Sequence, residues 1–270
     1  MTVLSGSHVL VTGGSSGIGL AVARAVVARG GRVSIVARDA ARLRAAQTEL
    51  DGVAGAAGRV ASATADVADG HALREAVAQG VERLGPVDVL VTSAGYAHPG
   101  LFVDLDDEVF RRQVAVNYLG TVNAIRAVLP TMVDRRRGHL LMVSSTVGLI
   151  GLYGYAAYAP TKFAVRGLAE SLRSELRPHG IVVACAYPPD TETPALERER
   201  AMMPAATASY SAKIKPRTAD AVAAAIVRGI ERDRLTVTAD VQTAALARVA
   251  GLLGPYLRRS LDRVVRRAAG

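Results

Sequence analysis

The chain has 270 residues, of which half are apolar and about a fifth are charged. This length, with a mean hydropathy of +0.23, excludes a disordered chain and a small disulfide-stapled scaffold, and the single cysteine, Cys185, has no partner for an internal disulfide. The net charge is +9, but residues 241–270 alone carry six arginines and one aspartate, so the rest is only mildly basic. Because no aromatic residues interleave with the basic ones, nucleic-acid binding is not predicted. A reducing, cytoplasmic setting fits the cysteine count.

Short apolar runs alternate with longer amphipathic stretches along the chain. The apolar runs predict strands at residues 8–12, 32–37, 60–65, 87–92, 139–144 and 181–187. The stretches between them predict helices at residues 17–30, 39–50, 69–84, 106–134 and 156–178. This alternation is typical of right-handed βαβ units, so the sequence predicts an α/β fold, a single Rossmann-type doubly wound parallel sheet with helices on both faces. We expect one domain over residues 1–240 and a separate tail over residues 241–270.

The loop after the first predicted strand reads TGGSSGIG at residues 12–19. Its glycines permit a tight turn and a close backbone approach, and the helix that follows would present free N–H groups to a pyrophosphate. An ordinary glycine-rich loop is the alternative, but a strand before it and a helix after it favour dinucleotide binding. The predicted cofactor contacts in this loop are Gly13, Ser15, Ser16, Gly17, Ile18 and Gly19.

The end of the second predicted strand carries Arg38, where a site that prefers NAD usually has an acidic residue. A guanidinium can pair with the adenosine 2′-phosphate, so the sequence favours NADPH or NADP⁺ as the cofactor. Arg42, one helical turn further on, is either a second phosphate contact or a solvated surface residue. Asp66 closes the third strand and is placed to accept a hydrogen bond from the adenine amine, with helix capping as the alternative.

A phenol and an ammonium, Tyr158 and Lys162, are four residues apart and would share one face of a helix. Ser145 ends the fifth predicted strand, and Asn117 lies in the preceding long helix. Together with the T-G-x-x-x-G-x-G loop, these residues resemble the short-chain dehydrogenase/reductase family, whose Asn–Ser–Tyr–Lys tetrad falls on Asn117, Ser145, Tyr158 and Lys162.

The resemblance implies an enzyme that reduces a carbonyl group. Tyr158 would protonate the developing alkoxide, Ser145 would hold its oxygen, Lys162 would hold the nicotinamide ribose, and Asn117 would position a proton-supplying water. The charges of Lys162 and of the oxidised nicotinamide are expected to lower the pKa of the Tyr158 phenol. The family also implies a homodimer or homotetramer formed through the helices at 106–134 and 156–178. No metal site is predicted.

Further cofactor contacts follow from the same resemblance. They are Val67, Ala94, Gly95, Tyr158, Lys162, Pro188, Thr191 and Thr193. For the two threonines, turn and cap roles are an equal alternative. The chain departs from the family pattern at Ser93, where the family has asparagine, and at Pro189, where it has glycine.

Three stretches, at residues 151–155, 162–170 and 186–194, resemble the 3-ketodihydrosphingosine reductases. Those enzymes use NADPH to reduce the keto group of a long-chain base at a membrane. The predicted substrate is therefore a long-chain keto compound that enters between the 190–215 segment and the tail, with Met202 and Met203 as an apolar wall. The alternatives are a reductase for another carbonyl, such as a β-ketoacyl thioester or a secondary alcohol, and a non-catalytic NADPH-binding sensor or scaffold.

The tail carries apolar residues at helical spacing with arginines on the flanks. These residues are Leu246, Val249, Leu252, Leu253, Tyr256, Leu257, Leu261, Val264 and Val265. A basic amphipathic helix of this kind either lies in a membrane interface or packs on the body or on a partner subunit, and Gly254-Pro255 would break it in either case. The expected location is cytoplasmic, with a peripheral contact at the inner face of the membrane.

Overall fold

The computed structural model describes residues 1–212, 214–251, 256 and 259. The strands are β1 (His8–Thr12), β2 (Arg32–Ala37), β3 (Val60–Thr64), β4 (Val89–Thr92), β5 (Gly138–Val143), β6 (Ile181–Ala186), β7 (Thr191–Glu192), β8 (Arg217–Thr218) and β9 (Thr236–Val237). The α-helices are α1 (Gly17–Val27), α2 (Ala40–Asp51), α3 (Gly70–Leu84), α4 (Asp107–Gln113), α5 (Gly120–Asp134), α6 (Ala159–Leu176), α7 (Pro194–Arg200), α8 (Ala205–Ser211) and α9 (Ala219–Glu231).

A seven-stranded sheet has the order β3-β2-β1-β4-β5-β6-β9, and every neighbouring pair in it is parallel. The predicted doubly wound α/β fold is confirmed. The chain runs outward from β1 in one direction and returns to start again at β4 on its other side. In open sheets of this kind ligands bind beyond the carboxyl ends of the strands at that switch point. The order of the strands therefore predicts a ligand site at the loops after β1 and β4.

Two apolar cores cover the two faces of the sheet. Successive residues of a strand point to opposite faces, so Val9 contributes to one core and Leu10 to the other. On the first face α1 and α9 pack together, with Val26 and Ile230 both fully buried. On the second face α3, α5 and α6 bury side chains such as Val165 against the sheet. The sheet is thereby enclosed on both sides, which explains the near-continuous apolarity of its strands.

The helix predicted over residues 106–134 is interrupted. A π-helical segment, Val114–Leu119, separates α4 from α5 and contains Asn117. The helix predicted over 156–178 begins at Ala159, which leaves Pro160 in the first turn, where its missing N–H has no helical partner to lose. The two-residue strands β7, β8 and β9 were not predicted, because two residues are too short for a periodic pattern.

The start of the predicted tail packs on the body. Residues 241–251 are helical, and Leu246, Ala247 and Ala250 lie against the second core. The predicted stripe positions Leu252, Leu253, Leu257, Leu261, Val264 and Val265, and the predicted break at Gly254-Pro255, lie outside the described residues. Within the part of the chain that is described, no helix combines the length and apolarity needed to cross a membrane.

Candidate active site

A cleft of about 350 Å³ opens at the carboxyl ends of the strands. It is lined by the loop after β1, the end of β2, the turn after β4, the residues that follow β5, the start of α6 and the segment from β6 into α7. The predicted site residues that line it are Gly13, Ser15, Ser16, Gly17, Ile18, Arg38, Arg42, Val67, Ala94, Gly95, Ser145, Tyr158, Lys162, Pro188, Thr191 and Thr193. Three predicted residues, Gly19, Asp66 and Asn117, do not line it.

The glycine-rich loop leaves no room for side chains at its key positions. A Cβ on Gly13 would lie 2.8 Å from the backbone of Ala94, and one on Gly19 would lie 2.4 Å from the Gly13 carbonyl oxygen. Gly13 and Gly17 also have positive φ angles of 71° and 54°, which side-chain-bearing residues rarely adopt. The loop therefore brings bare backbone to the wall of the cleft, as a bound dinucleotide requires.

Helix α1 begins at this loop with open N–H groups. Its N-cap residue, Ser16, makes no side-chain capping bond, although serine is a preferred cap. By contrast, the next helix is capped by Asp39, which accepts bonds from the N–H groups of Ala41 and Arg42. An uncapped helix N-terminus facing a cleft has the partial positive charge and the donors that a diphosphate needs. The fold thus fits a dinucleotide at the end of α1.

Two arginines stand at the end of β2 and the start of α2. Each side chain is 58 % exposed, and Arg38 reaches within 3.8 Å of a carboxylate oxygen of Asp66. Arg42 pairs with Asp39, with 3.4 Å between Nε and Oδ2. Their exposure leaves both guanidinium groups accessible to an anion.

Asp66 itself is held by the protein. It accepts a bond from the N–H of Ala68 at 3.0 Å and pairs closely with Arg112 from α4. Burial alone would raise the pKa of Asp66, but these donors outweigh it and hold the pKa below its usual value. The carboxylate is therefore ionised and positions Arg38 and Arg112; its predicted bond to the adenine amine stays a prediction. Asp69, not Asp66, caps α3.

Lys162 and Tyr158 lie at the start of α6, next to the end of β5. Lys162 is buried, and its Nζ donates a hydrogen bond to the carbonyl oxygen of Val143 at 3.0 Å. The ammonium lies 5.7 Å from the centre of the Tyr158 ring. Burial lowers the pKa of Lys162 to about 8. The two side chains thus share one wall of the cleft, as their spacing predicts.

The expected lowering of the Tyr158 pKa is not what the protein alone produces. Burial raises the pKa of Tyr158, the Glu199 carboxylate adds to the rise, and the Ser145 hydroxyl acts in the opposite direction. The physical reason is burial of the phenol, which penalises the charged phenolate and outweighs the Ser145 hydrogen bond. Tyr158 is accordingly held in its neutral, proton-bearing form.

Asn117 lies in the π-helical segment, and both its amide oxygen and its amide nitrogen form hydrogen bonds within the protein. Its Oδ1 accepts from the N–H of Tyr96 at 3.0 Å, and its Nδ2 donates to the Tyr96 carbonyl at 3.0 Å and to the Thr161 hydroxyl at 3.1 Å. The Thr161 hydroxyl in turn donates to the Tyr158 carbonyl at 2.7 Å. The described bonds make Asn117 a link between the turn after β4 and the start of α6; water positioning stays a prediction.

The segment after β6 supplies the opposite wall. Thr191 donates to the Pro189 carbonyl at 2.7 Å, and Thr193 caps α7 by accepting from the N–H of Leu196 at 3.2 Å. Both line the cleft, so their turn and cap roles do not exclude cofactor contacts. The carbonyl of Pro188 accepts from the N–H of Thr146 at 3.1 Å, which ties this segment to the loop after Ser145.

Tyr155 and Glu199 were missed by the sequence analysis. Both line the cleft, and the Tyr155 hydroxyl donates to Glu199 Oε1 at 2.5 Å. The Tyr155 and Tyr158 rings lie 6.0 Å apart, and Tyr155 belongs to a small apolar cluster with Leu152 and Met203. Met203 packs in this cluster but does not line the cleft, and Met202 is 39 % exposed, so the predicted apolar wall of the two methionines stays a prediction. No local pattern could have joined Tyr155 to Glu199, because 44 residues separate them.

Comparison with known proteins adds a family and a group of relatives. The family model of the short chain dehydrogenases matches residues 7–204. The chain is 45 % identical over 206 residues to a 3-dehydrosphinganine reductase of Danio rerio, covering 76 % of this chain and 62 % of the relative. It is 35 % identical over 269 residues to a 3-ketodihydrosphingosine reductase of Dictyostelium discoideum, covering 94 % of this chain and 80 % of the relative.

A solved structure of a variant actinorhodin polyketide ketoreductase with NADPH is similar with a TM-score of 0.77. It is 30 % identical, and the match covers 88 % of this chain and 95 % of that one. The chain spans less than two thirds of the length of the Danio rerio relative, because the match covers 62 % of that protein.

Proposed function

The chain belongs to the short-chain dehydrogenase family, and within that family we propose that it reduces the keto group of 3-ketodihydrosphingosine with NADPH. One observation carries the proposal. Relatives named for this reaction are 45 % and 35 % identical to the chain, and the family match over residues 7–204 includes the residues that build a cleft joining the glycine loop, Ser145, Tyr158 and Lys162. A non-catalytic sensor would have no need of a neutral phenol beside a buried ammonium in such a cleft.

The proposed cofactor is NADPH, held by this chain's own backbone and arginines. The bare loop at Gly13 and Gly17 and the uncapped end of α1 fit the diphosphate. Arg38 and Arg42 would pair with the 2′-phosphate, because no acidic residue follows β2 until Asp39, which the α2 backbone already engages. The NADPH bound to the related ketoreductase supports the same assignment.

NADPH, when bound, supplies the hydride that reaches the carbonyl carbon. Tyr158 then donates its proton to the oxygen on which negative charge develops, and the Ser145 hydroxyl donates a hydrogen bond to the same oxygen. The raised pKa of Tyr158 keeps the proton in place until that charge forms. Lys162, held by the Val143 carbonyl, keeps a positive charge next to the ring, which stabilises the phenolate left behind.

The walls of the cleft suit an alkyl chain. Leu152, Leu196 and the neighbouring Met203 provide apolar surface on the α7 side of Tyr158. We propose that the long chain of the substrate leaves the cleft along this side, between the 190–215 segment and the tail. Methionine is a suitable wall residue there because its flexible side chain adapts to an alkyl chain.

Oxidation of NADPH, followed at graded chain length, tests the proposal. Turnover should rise steeply from short ketones to the long-chain amino ketone, because each buried methylene contributes about 0.8 kcal/mol. Equal turnover on short and long ketones would reject the lipid substrate. Preference for a β-ketoacyl thioester would instead favour the second candidate, a ketoreductase of the kind the related polyketide enzyme represents.

We further propose that residues 1–240 form the catalytic domain and that the tail adds a peripheral membrane contact. Leu246 and Ala250 pack on the core, so we place the proposed contact in the arginine-rich residues that follow them in the sequence. Replacing Arg258, Arg263 and Arg266 by glutamine should weaken flotation with anionic vesicles, whereas unchanged flotation would reject the contact. The proposed dimer or tetramer is checked by light scattering.

A further inference from the structure

Glu199 is a carboxylate in the catalytic cleft that hydride transfer and protonation do not use. It lies in the last turn of α7 and lines the cleft together with Tyr155 and Tyr158. Its Oε1 accepts the hydroxyl hydrogen of Tyr155. The side chain is thus held in place at the wall of the cleft, beside Tyr155.

Glu199 forms no ion pair in the described part of the chain, although Arg198 and Arg200 are its near neighbours in sequence. Burial raises the pKa of Glu199 and the charge of Asp190 adds to the rise, although the Tyr155 hydrogen bond and the more distant charge of Arg200 act against it. A half-buried carboxylate without an ion-pair partner costs free energy that a cationic ligand would recover.

Tyr155 links Glu199 to Tyr158 within the cleft. The rings of Tyr155 and Tyr158 are 6.0 Å apart, and Tyr155 bonds directly to Glu199. In 3-ketodihydrosphingosine the amine is on the carbon next to the keto carbon. A substrate with its carbonyl oxygen at the Tyr158 hydroxyl therefore carries its ammonium two bonds from the carbonyl carbon, and Glu199 is the carboxylate bonded to the neighbouring Tyr155.

We infer that Glu199 binds the ammonium group of the substrate and thereby selects amino ketones over other long-chain ketones. This inference rests on the proposed function for its substrate class. The Tyr155 hydroxyl orients the carboxylate. The apolar wall then contributes affinity for the chain, and Glu199 contributes discrimination at the head of the substrate.

Binding of two product-like ligands tests the inference without turnover. The ligands are a medium-chain 2-amino alcohol and the diol with a hydroxyl in place of the amine, titrated calorimetrically into the protein with NADP⁺. The wild-type protein should bind the amine about tenfold or more tightly than the diol, as expected for a hydrogen bond between charged groups. In Glu199→Gln, which keeps an acceptor for Tyr155, the two affinities should agree within about twofold.

Glu197→Gln is the matched control, since Glu197 is on the same helix but exposed. This variant should keep the full preference for the amine. A wild-type protein that binds the amine and the diol equally would overturn the inference, and this measurement needs no variant. A preference for the amine that survives Glu199→Gln would overturn it as well. An intact preference without reduction of the amino ketone would instead reject the proposed function and leave the inference standing.

Discussion

The two ends of the central sheet both carry buried polar side chains, but they satisfy them differently. At the amino end, His8 bonds to the Gly85 carbonyl and to the Ser34 hydroxyl, both at 2.7 Å. Asp88 accepts from the N–H of His8 at 3.0 Å and from Arg135 at 2.9 Å. At the carboxyl end, the polar groups of Tyr158, Lys162 and Glu199 face a cleft.

This difference predicts which polar groups contribute to folding stability and which are available for ligand binding and catalysis. A polar group whose partners are all within the protein contributes to the folded state, and its removal leaves a buried partner unpaired. A polar group that faces a cleft is incompletely paired and is available to a ligand, at some cost in stability. We therefore expect substitutions at the amino end to lower the free energy of unfolding and substitutions at the carboxyl end to lower activity.

Tyr158→Phe should give the largest effect. Loss of the proton donor should lower kcat by about 10³-fold, which corresponds to about 4 kcal/mol of activation free energy. NADPH binding and the free energy of unfolding should stay close to wild-type values, because the phenyl ring is retained. Steady-state NADPH oxidation, fluorescence titration of NADPH and urea unfolding measure the three quantities. A variant that retains turnover would contradict the expectation that substitutions at the carboxyl end of the sheet lower activity.

Asp88→Ala should show the opposite pattern. Asp88 is only 14 % exposed and bonds to Arg135, Arg137 and the backbone of His8. Its removal leaves these donors without their acceptor and should lower the free energy of unfolding by about 3 kcal/mol. The kcat of the folded variant should be unchanged, since the site is at the far end of the sheet.

The control for this substitution is Asp51→Ala, at the exposed end of α2. Urea unfolding should place that variant within about 0.5 kcal/mol of wild type. A comparable loss of stability in both variants would mean that the bonds of Asp88 are not the cause. A fall in kcat for Asp88→Ala would show that the two ends are coupled.

The sequence predicted the parts of the site that depend on short-range spacing. The loop at Gly13 and the pair Tyr158 and Lys162 lie within single turns or one helix face, so periodicity and motif suffice for them. The parallel sheet was also predictable, because both of its faces are buried and its strands are almost wholly apolar. Even the first-turn position of Pro160 follows from proline's missing N–H.

Contacts between distant segments were not predictable from the sequence. Arg112 meets Asp66 across 46 residues, so a carboxylate that looked free for adenine already has a partner. The bonds of Asn117 to Tyr96 and Thr161 depend on the π-helical turn, which no composition signals. The raised pKa of Tyr158 likewise depends on burial that only the folded chain creates.

Acid titration should sharpen the comparison at the amino end. His139 is buried there, and burial lowers its pKa to about 4 even though Asp233 lies nearby. The unfolded chain therefore binds a proton that the folded protein does not bind between about pH 6.5 and the folded pKa, so stability falls as the pH falls through this window. The loss attributable to His139 should be about 2 kcal/mol.

Urea unfolding at pH 7 and pH 4.5 measures this loss, with His139→Leu as the variant. The leucine variant should show a smaller drop between the two pH values, because it has no proton to take up on unfolding. His71→Gln is the control, since it removes a histidine whose side chain is 75 % exposed. An identical drop in wild type and His139→Leu would assign the acid sensitivity to other groups.

Thr161→Val should give the smallest effect. Unlike the substitutions above, it should change both the free energy of unfolding and kcat. Thr161 is buried at the catalytic end, yet its hydroxyl is fully bonded, to the Tyr158 carbonyl at 2.7 Å and to the amide of Asn117 at 3.1 Å. Valine keeps the shape and removes both bonds, which should lower the free energy of unfolding by about 1 kcal/mol. Because these bonds hold the first turn of α6, we also expect kcat to fall a few-fold with KM for NADPH little changed.

Thr161→Ser should restore kcat, since it retains the hydroxyl. If valine lowered stability without any change in kcat, Thr161 would be purely structural and Tyr158 would be positioned by the rest of α6 alone.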